Sequence, residues 1–160
     1  MIMMKETFVL FSILMLFSGC VSQEERINRK ADRMHHEMLT IDTHSDTPMR
    51  LIRGGYNPGI RNDNGCVDFP RMKEGGLDAE FFAIFTGQGP RTTEAFDLEQ
   101  QYILSKVESI YAVVGRNDDM AGIALTGDEA RELKAAGKSA VFIGIENGYP
   151  IGTDITRIRQ

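Results

Sequence analysis

Residues 79–86 read AEFFAIFT, an almost continuous apolar run that decides the fold class. A second run of this kind, SAVFIGI, occupies residues 139–145, and a shorter β-branched stretch, LTIDT, occupies residues 39–43. Apolar runs of this length are typical of strands that are covered on both faces, as in parallel sheets. We therefore predict three strands at these positions.

Helical patterns separate the predicted strands. Residues 93–114 place five apolar side chains on one helical face: Phe96, Ile103, Val107, Ile110 and Val114. A capping box, formed by Thr126 and Glu129, opens a helix over residues 126–136. Shorter helices are predicted over residues 49–53 and 68–74 and from residue 154 onward, whereas residues 123–125 are only a short apolar stretch. Strands that alternate with helices indicate an α/β fold.

The composition narrows the class of protein further. The 160 residues contain 42% hydrophobic and 26% charged residues, which is enough apolar surface for a folded domain. There are 18 Lys and Arg against 23 Asp and Glu, a net charge of −5. Because phosphate binding needs clustered cations, this balance argues against a nucleic-acid partner. Two cysteines are too few for a disulfide scaffold.

The first twenty residues differ from the rest of the chain. Lys5 precedes an apolar run over residues 8–17, and Ser18 and Gly19 lead to Cys20. A basic start, a short apolar run and small residues are typical of a secretory signal. The run is shorter than the roughly 20 apolar residues of a membrane-spanning helix. The alternative is a helix buried in the core.

The residues before Cys20 resemble a bacterial lipobox, although Phe17 stands where leucine is more usual. The resemblance implies that residues 1–19 are a signal peptide and that Cys20 is acylated after cleavage. We therefore expect an exported protein that a lipid anchor holds at a membrane surface of the bacterial cell envelope. Secretion without a lipid is the alternative.

Residues 20–38 are predicted to form an N-terminal helical segment, with an amphipathic helix from residue 24. His35 and His36 are neighbours on this helix and point about 100° apart, so we predict surface histidines rather than ligands of one metal ion. Cys66, the other thiol, is predicted to be buried and inert, or to have a partner beyond residue 160.

Three side chains with metal-ligating chemistry follow predicted strands. His44 and Asp46 are two residues apart, so in extended backbone both side chains point the same way. Glu146 ends an apolar strand, where a charge has no packing reason to lie. Because sites of α/β proteins form at the carboxyl ends of strands, these residues suit a Zn²⁺ site. Alternatively, Asp46 caps the next helix and Glu146 is merely solvated.

Three blocks of sequence resemble the membrane dipeptidase (renal dipeptidase) family of zinc metallopeptidases. They are IDTHSDTP at residues 41–48, VDFPRMKEGG at residues 67–76 and FIGIENGY at residues 142–149. The blocks occur in the order of the family, and the resemblance covers residues 39–160. That span is identified as the N-terminal part of a dipeptidase barrel domain.

The resemblance implies a (β/α)₈ TIM-type barrel, two zinc ions and dipeptide substrates. His44 and Asp46 match ligands of one zinc ion, and Glu146 matches the catalytic carboxylate that bridges both. A water held between the metals attacks the peptide carbonyl in that family, and we expect the complete enzyme to form a homodimer. Two close Zn²⁺ ions lower the pKa of such a water and stabilise the oxyanion.

The chain also departs from the family pattern. A complete barrel needs about 250 residues, and the later histidines of the second zinc site are absent after Glu146. We therefore expect the N-terminal part of the enzyme, which alone binds zinc poorly, hydrolyses nothing measurable and aggregates. Two alternatives stay open: a non-catalytic envelope lipoprotein with a binding role, and another metal-dependent amidohydrolase.

Overall fold

The computed structural model describes residues 22–52 and 55–159. The predicted signal peptide and Cys20 lie outside these residues. The chain divides into two compact units between Met38 and Leu39. The first contains helix α1, Gln23–Glu37, which the Ser22 side chain caps by accepting a hydrogen bond from the Glu25 amide. Every residue of this helix is exposed, including the two histidines that were predicted to lie on the surface.

The second unit is built on a parallel sheet of four strands in the order β1-β2-β4-β3. The strands are β1 Ile41–Ser45, β2 Ala79–Phe85, β3 Ala121–Ile123 and β4 Ser139–Glu146. Because all four run the same way, their carboxyl ends lie at one edge of the sheet. Among the described helices, none combines the length and the apolar character needed to cross a bilayer.

The prediction of three strands was wrong within the described residues, because β3 is a fourth. Its three residues, Ala-Gly-Ile, carry too little β-branched or aromatic character to signal a strand locally. Whether these residues form a strand is decided by tertiary packing. Gly122 lies so close to Leu133 that a Cβ would be 2.5 Å from its Cδ2 atom. A side chain at position 122 would force the Leu133 side chain to move, so glycine suits the close approach of the following helix to this strand.

Four helices surround the sheet: α2 Thr47–Ile52, α3 Phe69–Gly75, α4 Thr93–Gly115 and α5 Gly127–Ala135. Two short 3₁₀ helices follow β4, at Tyr149–Ile151 and Ile155–Arg159. The helix predicted from residue 154 is therefore a 3₁₀ turn. The Asp154 side chain accepts hydrogen bonds from the Thr156 amide and hydroxyl, a local pattern that competes with an α-helix.

Helix α3 begins and ends as the sequence predicts. The Asp68 side chain accepts a hydrogen bond of 2.9 Å from the Arg71 amide, and Gly76 closes the helix with φ of +69°. Asp68 is buried and also accepts bonds from the Arg71 side chain and the Asn62 amide. Burial alone raises the pKa of this carboxyl, but these hydrogen bonds hold it below its usual value.

Alternate residues of the central strands face different layers. Phe82, Ile84 and Val141 pack against α3 and α4, together with Phe69, Met72, Ile103, Ile110, Val113 and Val114. The opposite face packs Ala79, Ala140 and Phe142 against Ala130 of α5. The predicted apolar face of α4 is thus the buried one. Burying such side chains stabilises the unit by about 1.5–3 kcal/mol each.

Helix α4 also buries a cation that its apolar pattern did not predict. The Lys106 ammonium donates a hydrogen bond of 3.2 Å to the Phe85 carbonyl and lies 3.6 Å from the centre of the Tyr102 ring. A buried amine needs such partners, because leaving it unpaired costs several kcal/mol. The contact fastens the carboxyl end of β2 to the helix layer.

Candidate metal centre

The structure brings the three predicted metal ligands together at the carboxyl edge of the sheet. His44 is the last but one residue of β1, and Asp46 directly follows that strand. Glu146 is the last residue of β4. The His44 Nε2 atom is 3.3 Å from Glu146 Oε2 and 3.8 Å from Asp46 Oδ1. One ligand atom from each side chain lies within 4.8 Å of the others.

The donor set fits zinc. One imidazole nitrogen and two carboxylate oxygens are ordinary Zn²⁺ ligands, and donors about 2.0–2.1 Å from a tetrahedral zinc lie roughly 3.3–3.4 Å apart. The distance from His44 to Glu146 already has this value. All three side chains are exposed, so a metal ion can reach them from solvent. Within residues 22–52 and 55–159, no other group of three such side chains could hold an ion.

A β-bulge in β1 aims His44 at this edge. Asp42 pairs with Glu80, but the next paired residue, Ser45, pairs with Phe82. From Asp42 to Ser45, β1 therefore advances by three residues while β2 advances by two. The extra residue reverses the alternation of side chains, as β-bulges beside functional sites do. The bulge could not be predicted from the sequence, since residues 42–45 include no glycine that would mark it.

The loop after Glu146 is fastened to the neighbouring strand. Asn147 has φ of +78°, in the left-handed region that asparagine tolerates better than most residues. Its side-chain amide donates a bond of 2.8 Å to the Thr86 carbonyl, and its Oδ1 atom accepts one of 3.1 Å from the Tyr149 amide. These bonds fix the direction in which the chain leaves Glu146.

A cleft of about 730 Å³ opens beside the ligands. Asp46 and Glu146 contribute negative charge, and Arg50 contributes positive charge, while Met49, Gly55, Tyr56 and Phe85 complete the lining. The guanidinium carbon of Arg50 is 5.9 Å from the centre of the Tyr56 ring, whose hydroxyl donates to the Val67 carbonyl. Sequence reasoning missed Arg50 and Tyr56, because only the folded loop brings them to the ligands.

Two further groups differ from what the sequence suggests. The prediction that Cys66 is buried was wrong: it is exposed and has a free thiol, because the loop that carries it runs over the surface. Glu80, in contrast, has no exposed surface, although it is charged at neutral pH in an unfolded chain. Burial, with a smaller contribution from the charge of Asp42, raises its pKa to about 7.

A parallel α/β sheet with a His and carboxylate cluster at its carboxyl edge defines the class of metal-dependent α/β proteins. Comparison with known families then gives the particular family. Residues 28–160 match the family model described as membrane dipeptidase, peptidase family M19. The chain therefore belongs to the membrane dipeptidase family, and the resemblance found in its sequence is confirmed.

Individual relatives agree with this assignment. The chain is 24% identical to dipeptidase ataJ of Aspergillus terreus over 141 residues, which are 82% of this chain and 34% of that protein. It matches the solved structure of dipeptidase AC, an M19 metallopeptidase, with a TM-score of 0.63 and 26% identity over 76% of this chain and 39% of that one.

A third relative is a metallopeptidase from Rhodobacter sphaeroides, solved with a phosphinate mimic of the dipeptide L-Ala-D-Ala. The TM-score is 0.62 and the identity 23%, over 76% of this chain and 42% of the relative. The predicted fold class is confirmed, since these dipeptidases are TIM barrels and the parallel sheet matches part of them. The chain spans about a third to two fifths of the length of these relatives.

Proposed function

We propose that this chain carries the first zinc-binding part of a dipeptidase that hydrolyses the peptide bond of unblocked dipeptides. The observation that carries the proposal is the convergence of His44, Asp46 and Glu146 at the carboxyl edge of the sheet, in a chain of the membrane dipeptidase family. The Rhodobacter relative, which binds a dipeptide mimic, supports the choice of substrate.

In this proposal each ligand has a separate task. His44 and Asp46 would hold a zinc ion, and Glu146 would be the catalytic carboxylate that holds metal beside them. Bound zinc supplies a Lewis acid that polarises the scissile carbonyl and activates water for attack. Asn147 holds Glu146 in place through the end of β2, and Lys106 fixes the same strand end from the helix side.

The cleft beside the ligands suits a small zwitterion. An unblocked dipeptide has one ammonium and one carboxylate, and the cleft offers both acidic ligands and Arg50 along its lining. Its volume of about 730 Å³ lies within the usual range for pockets that bind small molecules. These features support a substrate with charges at both ends rather than a long peptide.

The test uses protein expressed from its complete reading frame, loaded with zinc, and L-Ala-D-Ala as substrate. The His44→Ala variant is expected to lose at least about 100-fold in kcat/KM, because a zinc ligand is removed. His36→Ala is the matched control, since His36 is an exposed histidine on α1. Undiminished hydrolysis by His44→Ala would overturn the proposal, and an inactive but folded wild type would favour a non-catalytic binding role.

We further propose that the 160 residues form the N-terminal part of a longer barrel whose later strands complete the second zinc site. The share of each relative that the chain matches supports this proposal. Reading the coding DNA past codon 160 tests it. A frame that supplies histidines at later strand ends agrees with the proposal, and an immediate stop contradicts it. A homodimer of the complete protein stays a prediction, for which light scattering is the measurement.

Attachment to the bacterial cell envelope is a separate proposal, and it rests on the sequence around Cys20 alone. We expect the wild type and Cys66→Ala to incorporate labelled palmitate and to sediment with membranes. Cys20→Ala should do neither. Cys66 is the matched control because it is the other thiol of the chain and is exposed. Labelling of Cys20→Ala at the wild-type level would end the proposal of a lipid anchor.

A further inference from the structure

Asp42 lies at the start of the bulge in β1 that aims His44 at the metal centre. Its Oδ1 atom accepts a hydrogen bond of 3.1 Å from the backbone amide of His44. An extra residue in a strand leaves a backbone group without a partner in the ladder, and this group needs a side chain or water as its partner. The Asp42 carboxylate is that partner.

The bulge decides which face of the sheet His44 occupies. In a regular strand, His44 would share a face with Asp42, which pairs with Glu80. That face packs against α3 and α4 through Phe82 and Ile84. With the bulge, Ser45 takes the place opposite Phe82, and His44 comes within 3.3 Å of Glu146. The bulge is therefore a condition for the cluster of three ligands.

Packing alone does not explain a carboxylate at position 42. Asp42 pairs directly with the buried Glu80, and like charges opposite one another destabilise a sheet. Asp42 is exposed and contributes no apolar surface to the core. What this side chain does provide is a short, rigid acceptor two residues before the ligand, the geometry of an Asx turn.

We propose that Asp42 is a positioning residue of the metal centre: it holds the bulge that presents the His44 imidazole to zinc. It does not touch the ion or the substrate. The inference rests on the proposed function only in that the cluster binds a metal ion. Residues that orient a ligand from outside typically change metal affinity by 10–100-fold when they are removed.

The test is a titration of metal-free protein, expressed from its complete reading frame, with Co²⁺, whose visible absorption reports the ligand geometry. Asp42→Ala is expected to bind Co²⁺ about 10–100-fold more weakly, with an altered spectrum. Asp42→Asn keeps an acceptor oxygen and is expected to restore both affinity and spectrum. Asp119→Ala, which removes an exposed carboxylate just before β3 at the other end of the sheet, is the matched control.

Wild-type affinity and spectrum in Asp42→Ala would overturn the inference, and so would an Asp42→Asn variant as impaired as Asp42→Ala. If Asp42→Ala is unfolded by circular dichroism, Asp42→Glu replaces it. That variant keeps the charge but moves the acceptor, so the same weakening is expected and wild-type affinity contradicts it. A wild type that binds no Co²⁺ contradicts the proposed function itself, whereas normal binding in every variant contradicts only the role of Asp42.

Discussion

Glu80 and Glu146 are carboxylates on neighbouring strands with opposite environments. Glu146 ends β4 at the open edge, where water and a cation can reach it. Glu80 lies inside the sheet with no exposed surface, where the nearby Ser45 side chain only partly offsets the cost of burying its carboxylate. The position of Glu146 therefore suits a metal ligand, whereas the buried Glu80 destabilises the fold when it ionises.

Glu80 makes stability depend on pH in a defined direction. Its pKa is 4.5 in an unfolded chain and about 7 in the fold, so between these values the folded state holds a proton that the unfolded state has lost. Stability contributed by the protonated form is complete below about pH 4.5 and is lost as the pH rises to about 7. The full loss is about 3 kcal/mol.

We therefore predict that Glu80→Gln is more stable than the wild type at about pH 8 and loses most of this advantage at about pH 5. Urea unfolding at both pH values is the measurement. Glu108→Gln, which changes an exposed carboxylate on α4, is the control and should leave the pH profile unchanged. A Glu80→Gln profile parallel to that of the wild type would contradict the assignment of the pH dependence to this group.

Asn147 combines a left-handed backbone with three side-chain hydrogen bonds, to the Thr86 carbonyl, the Tyr149 amide and the Gln88 side chain. Asn147→Ala should lower stability by about 2 kcal/mol, because it loses these bonds and places a Cβ without compensation at φ of +78°. Asn147→Gly relieves only the backbone strain, so it should lie between the two in thermal unfolding. A stability of Asn147→Ala equal to that of the wild type would show that these bonds contribute nothing.

Among single residues, those governed by local rules could be predicted from the sequence. Glu146 was predicted as a ligand because a charge at the end of an apolar run is unusual, and His44 with Asp46 because of their spacing. The bulge in β1 that turns His44 toward Glu146 could not be predicted, since it depends on which residue of β2 pairs with Ser45. The burial of Glu80 is likewise a property of the neighbouring strands and helices.

Among elements, helix α3 was predictable because both of its signals are local: Asp68 at its start and two glycines at its end. Strand β3 was not, because its three residues form a strand only by pairing with residues 139–141 of β4. The sequence showed only an apolar stretch over residues 123–125, whereas the strand covers Ala121–Ile123. Its position is set by pairing with β4 and by the packing of α5. A strand this short can therefore be identified only from its pairing with a neighbouring strand.

Gly75, the last residue of α3, and Gly76, which follows it, provide a matched pair for testing how this helix ends. Gly76 has φ of +69°, whereas Gly75 is the last residue of the helix and a Cβ there meets no atom within 4 Å. Gly76→Ala should cost about 1–2 kcal/mol, since a Cβ is unfavourable in left-handed backbone. Gly75→Ala should be neutral or stabilising by up to about 1 kcal/mol. Equal urea midpoints for the two variants would contradict the proposed helix end.

At the scale of the whole molecule, one stretch of the sheet edge is unpaired within residues 22–52 and 55–159. Residues 142–146 of β4 pair with β2, and β3 covers only residues 139–141 on the other side. Beside this stretch lies an apolar groove of about 420 Å³ between α4 and the 3₁₀ helices, which includes Ile103, Leu104, Ile145 and Ile158. Unpaired strand edges beside apolar surface favour association between chains.

We therefore predict that residues 20–160, purified alone, self-associate at micromolar concentration and bind zinc weakly. Light scattering with increasing protein concentration is the measurement. Ile145→Lys is expected to reduce the association, because it places a charge on the unpaired edge without touching the ligands. A monodisperse monomer that binds zinc tightly would contradict the prediction and would mean that this chain needs no further strands.

In the proposed function, Glu146 would hold the zinc of a dipeptidase together with His44 and Asp46. The most direct measurement is the hydrolysis of L-Ala-D-Ala by metal-free protein from the complete reading frame as zinc is returned. The wild type should gain activity with zinc, and folded Glu146→Gln should stay at least about 100-fold less active at every zinc concentration. Activity of Glu146→Gln at the wild-type level, or wild-type hydrolysis without zinc, would contradict the claim.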